Sequence, residues 1–245
     1  MDIKIVGGGA AGLISALYLR KLDKAEITVY EKQTRDSYES TPCGEGISFD
    51  KISELREETG FDSFPHVSKE VRGIELICPN MTSSYVHKEG AVLNRDGWQR
   101  TMIEFLEERG VQFRFDQEIE SSDDLDYDIL VGAEGPVSKI RQEIGGSIDV
   151  FSSVQYKMKL DRSPDYLEFY ADKMFDGGYG WVFPKEKMAN VGCEGSFKRL
   201  DRFLEKYDID GEIIEKQAYP IGVSGTKQQE GSIYIIGGAG GLTNA

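Results

Sequence analysis

Short apolar runs and two kinds of periodicity organise the 245-residue chain. Ile3 to Val6 form a brief apolar run, followed by glycines and the apolar-periodic stretch "AAGLISALYL". A second run spans Ile27 to Tyr30. That order predicts a strand, a helix and a second strand over residues 2–31. A polar loop is expected over 32–46 and a helix from about Ser48 to Glu58. Residues 70–94 alternate apolar and polar, as in "VRGIELIC" and "AVLN", and read as antiparallel strands. Trp98, Met102, Phe105 and Leu106 then share one face of an amphipathic helix that Gly110 should stop. Strands at 111–115 and 127–131 and a short helix near 136–144 follow. From 149 to 230 the segments "VQYKMKL", "YLEFYA", "YGWVFP" and "ANVGCEG" read as short strands of an antiparallel sheet. A last strand runs from Ser232 to Ile236.

The pattern predicts an α/β fold, in which a Rossmann-like βαβ domain is combined with an antiparallel-sheet domain. Residues 1–66, 92–148 and 231–245 are assigned to the first and 67–91 and 149–230 to the second. Ligands of such parallel sheets sit at the carboxyl ends of the strands.

The first chemistry sits at the first turn. Gly7, Gly9 and Gly12 give G-x-G-x-x-G between strand and helix. Gly7 permits a tight turn, Gly9 removes a side chain that would block a pyrophosphate, and Gly12 lets helix and strand pack closely. Ala10 and Ala11 open the helix, whose free N–H groups and positive dipole end suit phosphates. Glu31 ends the second strand about twenty positions later, where a carboxylate accepts from ribose hydroxyls, and Lys32 adjoins it. In this frame a dinucleotide site outweighs a plain glycine-rich turn.

Bulk properties narrow the partners. A net charge of −14 opposes nucleic acid and nonspecific attraction to anionic membranes. Cys43, Cys78 and Cys193 are widely spaced, and His66 and His87 are the only histidines, so neither a disulfide framework nor a metal site is expected. No signal peptide or spanning segment is evident, which predicts a cytoplasmic protein with peripheral membrane contact still open.

A second motif, "DYDILVGAEGPVSKIR", places Asp128, Gly132, Ala133, Glu134, Gly135, Ser138 and Arg141 at D-x-x-x-G-A-E-G-x-x-S-x-x-R. A buried strand here delivers a glycine-flanked acid into a turn. The string resembles the second fingerprint of the two-domain flavoprotein hydroxylases, which usually carry Asp where Glu134 stands. Two further stretches, "PCGEGIS" (Pro42 to Ser48) and "GGYGWVFPK" (Gly177 to Lys185), are similar to the geranylgeranyl reductases within that superfamily. The resemblance covers essentially the whole chain.

It implies an FAD enzyme that saturates double bonds of a geranylgeranyl or polyprenyl lipid, or its diphosphate, by hydride from the reduced flavin. NAD(P)H or a protein donor such as ferredoxin would supply electrons. Cys43 is implied beside the reacting bond, with Gly44 and Arg95 near the cofactor. Each candidate also has a bland reading. Cys43 could be a small packing residue in a plain loop, Arg95 a solvated helix start, and Arg141 a partner of its helix C-terminus. Tyr179, Trp181 and Phe183 alternate, so they share a strand face. Such a face is usually sheet core. With Gly178 and Gly180 between, it could instead form an apolar slot for substrate.

The third motif departs from the family. Where the superfamily has G-D-A-A-G, this chain has Gly237-Gly238-Ala239-Gly240-Gly241, so Gly238 replaces an aspartate that bonds the flavin ribityl or ribose region. A lost charged hydrogen bond is worth on the order of 1.5–3 kcal/mol. The chain looks truncated after this motif. Two alternatives therefore stay open: an FAD-dependent monooxygenase or halogenase of the same superfamily, and a flavin-binding remnant without catalysis.

Overall fold

The computed structural model describes residues 1–22 and 24–243. In chain order its elements begin with β1 (Asp2–Val6), α1 (Ala10–Leu19), β2 (Glu26–Tyr30) and β3 (Gly46–Ser48). Next come α2 (Phe49–Thr59), β4 (Val67–Ile77), β5 (Ser83–Leu93), α3 (Arg95–Glu107), β6 (Gln112–Arg114), β7 (Ile129–Gly132) and α4 (Lys139–Glu143). The second half carries β8 (Asp149–Leu160), β9 (Leu167–Tyr170), β10 (Gly180–Pro184), β11 (Ala189–Glu194), α5 (Phe197–Tyr207), β12 (Gly211–Val223), β13 (Gln229–Glu230) and β14 (Ile233–Ile235).

One sheet has the order β13-β14-β7-β1-β2-β6, parallel except where β13 turns back on β14. Strand β7 is apolar on both faces, whereas β1 and β2 bury Ile3, Ile5, Ile27 and Val29 on one face and carry Lys4 and Thr28 on the other. Ile3, Ile5, Ile27 and Val29 bury against Leu13, Ala16 and Leu17 of α1 and Met102 and Leu106 of α3. The long helix α3 starts where Asn94 accepts from the Gly97 N–H. It ends at Glu107, and the chain turns into β6 at Gly110, whose φ of +86° suits glycine.

The other sheet has the order β12-β8-β11-β10-β9-β4-β5-β3. One face carries Val154, Tyr156, Met158, Val182, Val191 and Cys193, which bury against Leu200, Phe203 and Tyr207 of α5. Two elements depart from the sequence expectations. Helix α5 lies inside the stretch expected to be only sheet; its signal was Leu200, Phe203, Leu204 and Tyr207 at helical spacing behind the Ser196 cap. Strand β3 lies at the junction of the expected polar loop and the expected helix, and pairs with β5. At three residues it is too short for alternation to reveal.

Among the described residues, no helix is long and apolar enough to cross a membrane.

Candidate functional site

The carboxyl ends of β1, β2 and β7 come together at the start of α1, where Gly237 also packs on Ala11. Gly7 has a φ of +105°, and a Cβ there would collide with the carbonyl of Ala133. A Cβ on Gly12 would strike the Gly7 carbonyl, which is the close packing of helix on strand that the motif requires. Gly9 is different: its Cβ would meet nothing within 4 Å. Beside that open space, α1 begins at Ala10 and Ala11 without a side-chain cap, so its first N–H groups are free for an anion.

The Gly8 backbone is held at both ends. Its N–H donates to Glu31 Oε2 at 2.8 Å, and its carbonyl accepts from the Tyr38 hydroxyl at 2.6 Å. The other Glu31 oxygen accepts from the Gln33 N–H at 2.9 Å, and Gln99 donates to the Tyr38 oxygen at 2.6 Å. Burial, and then the neighbouring Glu31 charge, push the Tyr38 phenol well above its ordinary pKa, which keeps it a neutral donor. Lys32 points into solvent. Arg95, half-buried at the start of α3, donates to Gln99 Oε1 at 3.0 Å and reaches the Thr41 carbonyl and hydroxyl at 3.4 Å. It thus grips the loop before Cys43, rather than standing solvated.

The second motif sets the Ala133 backbone against Gly7 but turns the Glu134 side chain toward α4. The Glu134 carboxylate accepts from the Ser138 hydroxyl at 2.8 Å and the Ile140 N–H at 3.2 Å, capping α4. Burial raises its pKa against these hydrogen bonds. Arg141 is buried and donates to the carbonyls of Pro136 at 2.9 Å and Ala239 at 3.0 Å. It ties the second motif to the third; it is no partner of its own helix terminus. At Gly238 a Cβ would lie 3.5 Å from Pro136, an ordinary contact. The missing aspartate is therefore not excluded by space. Tyr219, from β12, brings its hydroxyl to Gly135.

Cys43 stands exposed, and its Sγ accepts from the Glu45 N–H at 3.3 Å. The aromatic face is present: Trp181 and Phe183 point to one side of β10 and Val182 to the buried other. Tyr179 and Phe183 pack on Phe169 with ring centroids 5.2 and 5.1 Å apart. The expected slot between Gly178 and Gly180 is filled. A Cβ on Gly180 would meet Phe175 and Phe203, because Gly180 faces the buried side of β10, away from the aromatics, and one on Gly178 would strike the Glu194 side chain. Close approach happens elsewhere: Gly44 and Gly46 lie on the Phe183 ring and Gly192 lies on Trp181. So the glycines of the Cys43 loop seat it on the protein's own aromatics.

Several participants escaped sequence reading. Tyr38 and Gln99 sit in segments without diagnostic spacing. Asn190 is fully buried in the apolar strand β11 and donates to the carbonyls of Cys43 and Gly44; a lone Asn within "ANVGC" was a usable signal.

Residues 149–223 match the family model described as the geranylgeranyl reductase catalytic domain. The chain resembles the geranylgeranyl reductases. Residues 5–41 match an NAD(P)-binding Rossmann-like domain. A digeranylgeranylglycerophospholipid reductase of Methanococcoides burtonii is 26% identical over 297 aligned residues, covering all of this chain and 71% of that protein. The reductase of the same name from Thermoplasma volcanium is 25% identical, covering 84% of this chain. The match spans 62% of that relative's length. Among solved structures, a geranylgeranyl bacteriochlorophyll reductase-like protein of Thermoplasma acidophilum superposes with a TM-score of 0.82 at 24% identity, over 98% of this chain and 71% of that one. A flavin-dependent halogenase superposes with a TM-score of 0.77 at 17% identity, over 99% of this chain and 54% of that one. The fold is thus the one these reductases share with flavin-dependent halogenases. The reductase catalytic-domain match contains Tyr179, Trp181, Phe183 and Asn190, whereas Cys43 lies outside it.

Proposed function

We propose that this chain binds FAD and reduces carbon–carbon double bonds of a geranylgeranyl or polyprenyl lipid. The observation that carries the reading is the exposed Cys43 loop, seated on the aromatic face of β10 and linked through Thr41, Arg95, Gln99 and Tyr38 to the Gly8 turn, which forms a dinucleotide cradle. The cradle suits FAD: the open space beside Gly9, the uncapped start of α1 and the Glu31 carboxylate fit a pyrophosphate and a ribose. Arg95 stands between that cradle and Cys43, bonded to Gln99 on one side and to Thr41 on the other. Bound and reduced, FAD supplies the hydride for one carbon of the double bond, while a proton is added to the other.

The protein's task is to bind, orient and exclude water. Phe169, Tyr179, Trp181 and Phe183 offer an apolar wall to a prenyl chain. Cys43 stands beside the reacting bond and either shapes that spot or delivers the proton. The electrons come from NAD(P)H or a ferredoxin-type protein, and the lipid is met at a membrane surface.

The test begins with the visible spectrum of the purified chain with added FAD. Flavin near one per chain supports the cradle. Dithionite-reduced protein is then incubated with a geranylgeranyl lipid, and mass spectrometry reads the gain of two hydrogens per double bond. No bound flavin, or no saturated product, overturns the reading. Oxygen-dependent NAD(P)H consumption in place of saturation would favour the monooxygenase or halogenase chemistry.

A further inference from the structure

Three features that cost stability converge on the four residues from Cys43 to Gly46. Glu45 has a φ of +69°, a left-handed conformation uncommon for a residue other than glycine. Its side chain pairs with Lys185, and the two side chains are only 7% and 14% exposed. A buried ion pair of this kind seldom stabilises more than apolar packing would. Asn190 is fully buried; its Nδ2 donates to the carbonyls of Cys43 at 3.1 Å and Gly44 at 3.3 Å, while its own Oδ1 has no partner. An orphaned buried carbonyl is a net cost, and a valine at this strand position would avoid it.

The three features share one effect. They hold the loop on β10 and β11 from below, with Gly44 and Gly46 on the Phe183 ring and the Leu93 N–H donating to the Glu45 carbonyl at 3.0 Å. On the loop so held, Sγ accepts from the Glu45 N–H.

We infer that Asn190 and the Glu45–Lys185 pair are positioning residues, whose role is to fix the Cys43 thiol against the reacting bond. This rests on the reading that Cys43 faces that bond. Neither group touches substrate or cofactor; each acts through the loop backbone.

The experiment measures iodoacetamide alkylation of Cys43 by peptide mass spectrometry in the purified chain, and kcat and KM for prenyl reduction. Buried Cys193 serves as an internal reporter of folding. The variants are Asn190→Asp, which sets a carboxylate against two carbonyls at the same size, Lys185→Met and Lys185→Arg. In Asn190→Asp and Lys185→Met, Cys43 should alkylate roughly five- to tenfold faster, the scale of one lost hydrogen bond. FAD content and KM should hold, kcat should fall by at least a similar factor, and Lys185→Arg should behave like the wild type. If Asn190→Asp leaves Cys193 reactive, it has unfolded and Lys185→Met decides. Unchanged alkylation in the folded variants, or changed alkylation with unchanged kcat, overturns the inference. A wild type that reduces no prenyl lipid sinks the proposed function, and altered alkylation would then show only that the clamp holds the loop.

Discussion

Around the first glycine motif the chain is shaped chiefly by missing side chains, whereas the loop at Cys43 is also held by side chains that reach across the molecule. Gly7 and Gly12 admit backbone where a methyl group would collide, and Gly9 keeps a space open. The Cys43 loop is instead fixed by Asn190, 147 residues away, and by the pairing of Glu45 with Lys185, 140 residues away. A site made of absences tolerates no added atoms. A site made of reaching side chains can be loosened one contact at a time.

The sharpest way to break that contrast is at Gly12. Gly12→Val drives two methyl groups toward the Gly7 carbonyl and should cost about 3–5 kcal/mol, read as a fall in the urea midpoint together with loss of flavin. Gly9→Val is its counterpart. Nothing lies within 4 Å of that Cβ, so stability should stay within about 0.5 kcal/mol while FAD affinity collapses. Equal destabilisation by both would show that Gly9 serves packing.

Gly238→Asp comes next. Its Cβ meets only ordinary contacts with Pro136 and Gly135. FAD affinity should rise by about ten- to a hundredfold, equivalent to 1.5–3 kcal/mol for a charged hydrogen bond, as measured by flavin fluorescence titration. No gain would mean that the cofactor does not pass Gly238.

Acid separates the two halves. Although burial alone would raise it, hydrogen bonds from Lys206, the Met174 N–H and Tyr207 hold the Asp172 carboxyl down at about 2. A depressed carboxylate stabilises above its ordinary pKa near 4 and loses that contribution as pH falls through its folded value. Acidifying from pH 5 to 2 should therefore remove about 2 kcal/mol from the α5 side of the antiparallel sheet. In Asp172→Asn that part of the acid slope should vanish, with flavin binding at pH 7 unchanged.

Legibility follows the same division. The βαβ unit and its glycines were readable because each requirement is local: a turn, a close contact and a carboxylate at fixed spacing. The aromatic alternation of Tyr179, Trp181 and Phe183 was readable too, but its neighbours were not. Which face Gly180 shares with Phe175 and Phe203 depends on where α5 packs, and α5 itself was overlooked within a strand-rich stretch. The Asn190 contact to Cys43 depends on strand order across the sheet, which no local pattern encodes. Sequence reading therefore recovered most of the elements and the motif glycines, and missed α5, β3 and the contacts set by topology.

The smallest effect tests a residue that both kinds of construction could claim. By motif, Glu134 belongs to the cofactor; by geometry it caps α4 through Ser138 and Ile140. Its pKa is raised by burial, so its folding contribution is fully present below the ordinary glutamate value and is lost as pH rises through the folded one. A glutamine side chain in its place would keep an acceptor for the Ile140 N–H and titrate at no pH. Glu134→Gln should therefore gain stability relative to wild type as pH rises from 4 to 8, by on the order of 1 kcal/mol. FAD affinity should stay within about twofold, since the carboxylate already serves α4. A large loss of flavin with unaltered pH dependence would return Glu134 to the cofactor and make the cap incidental.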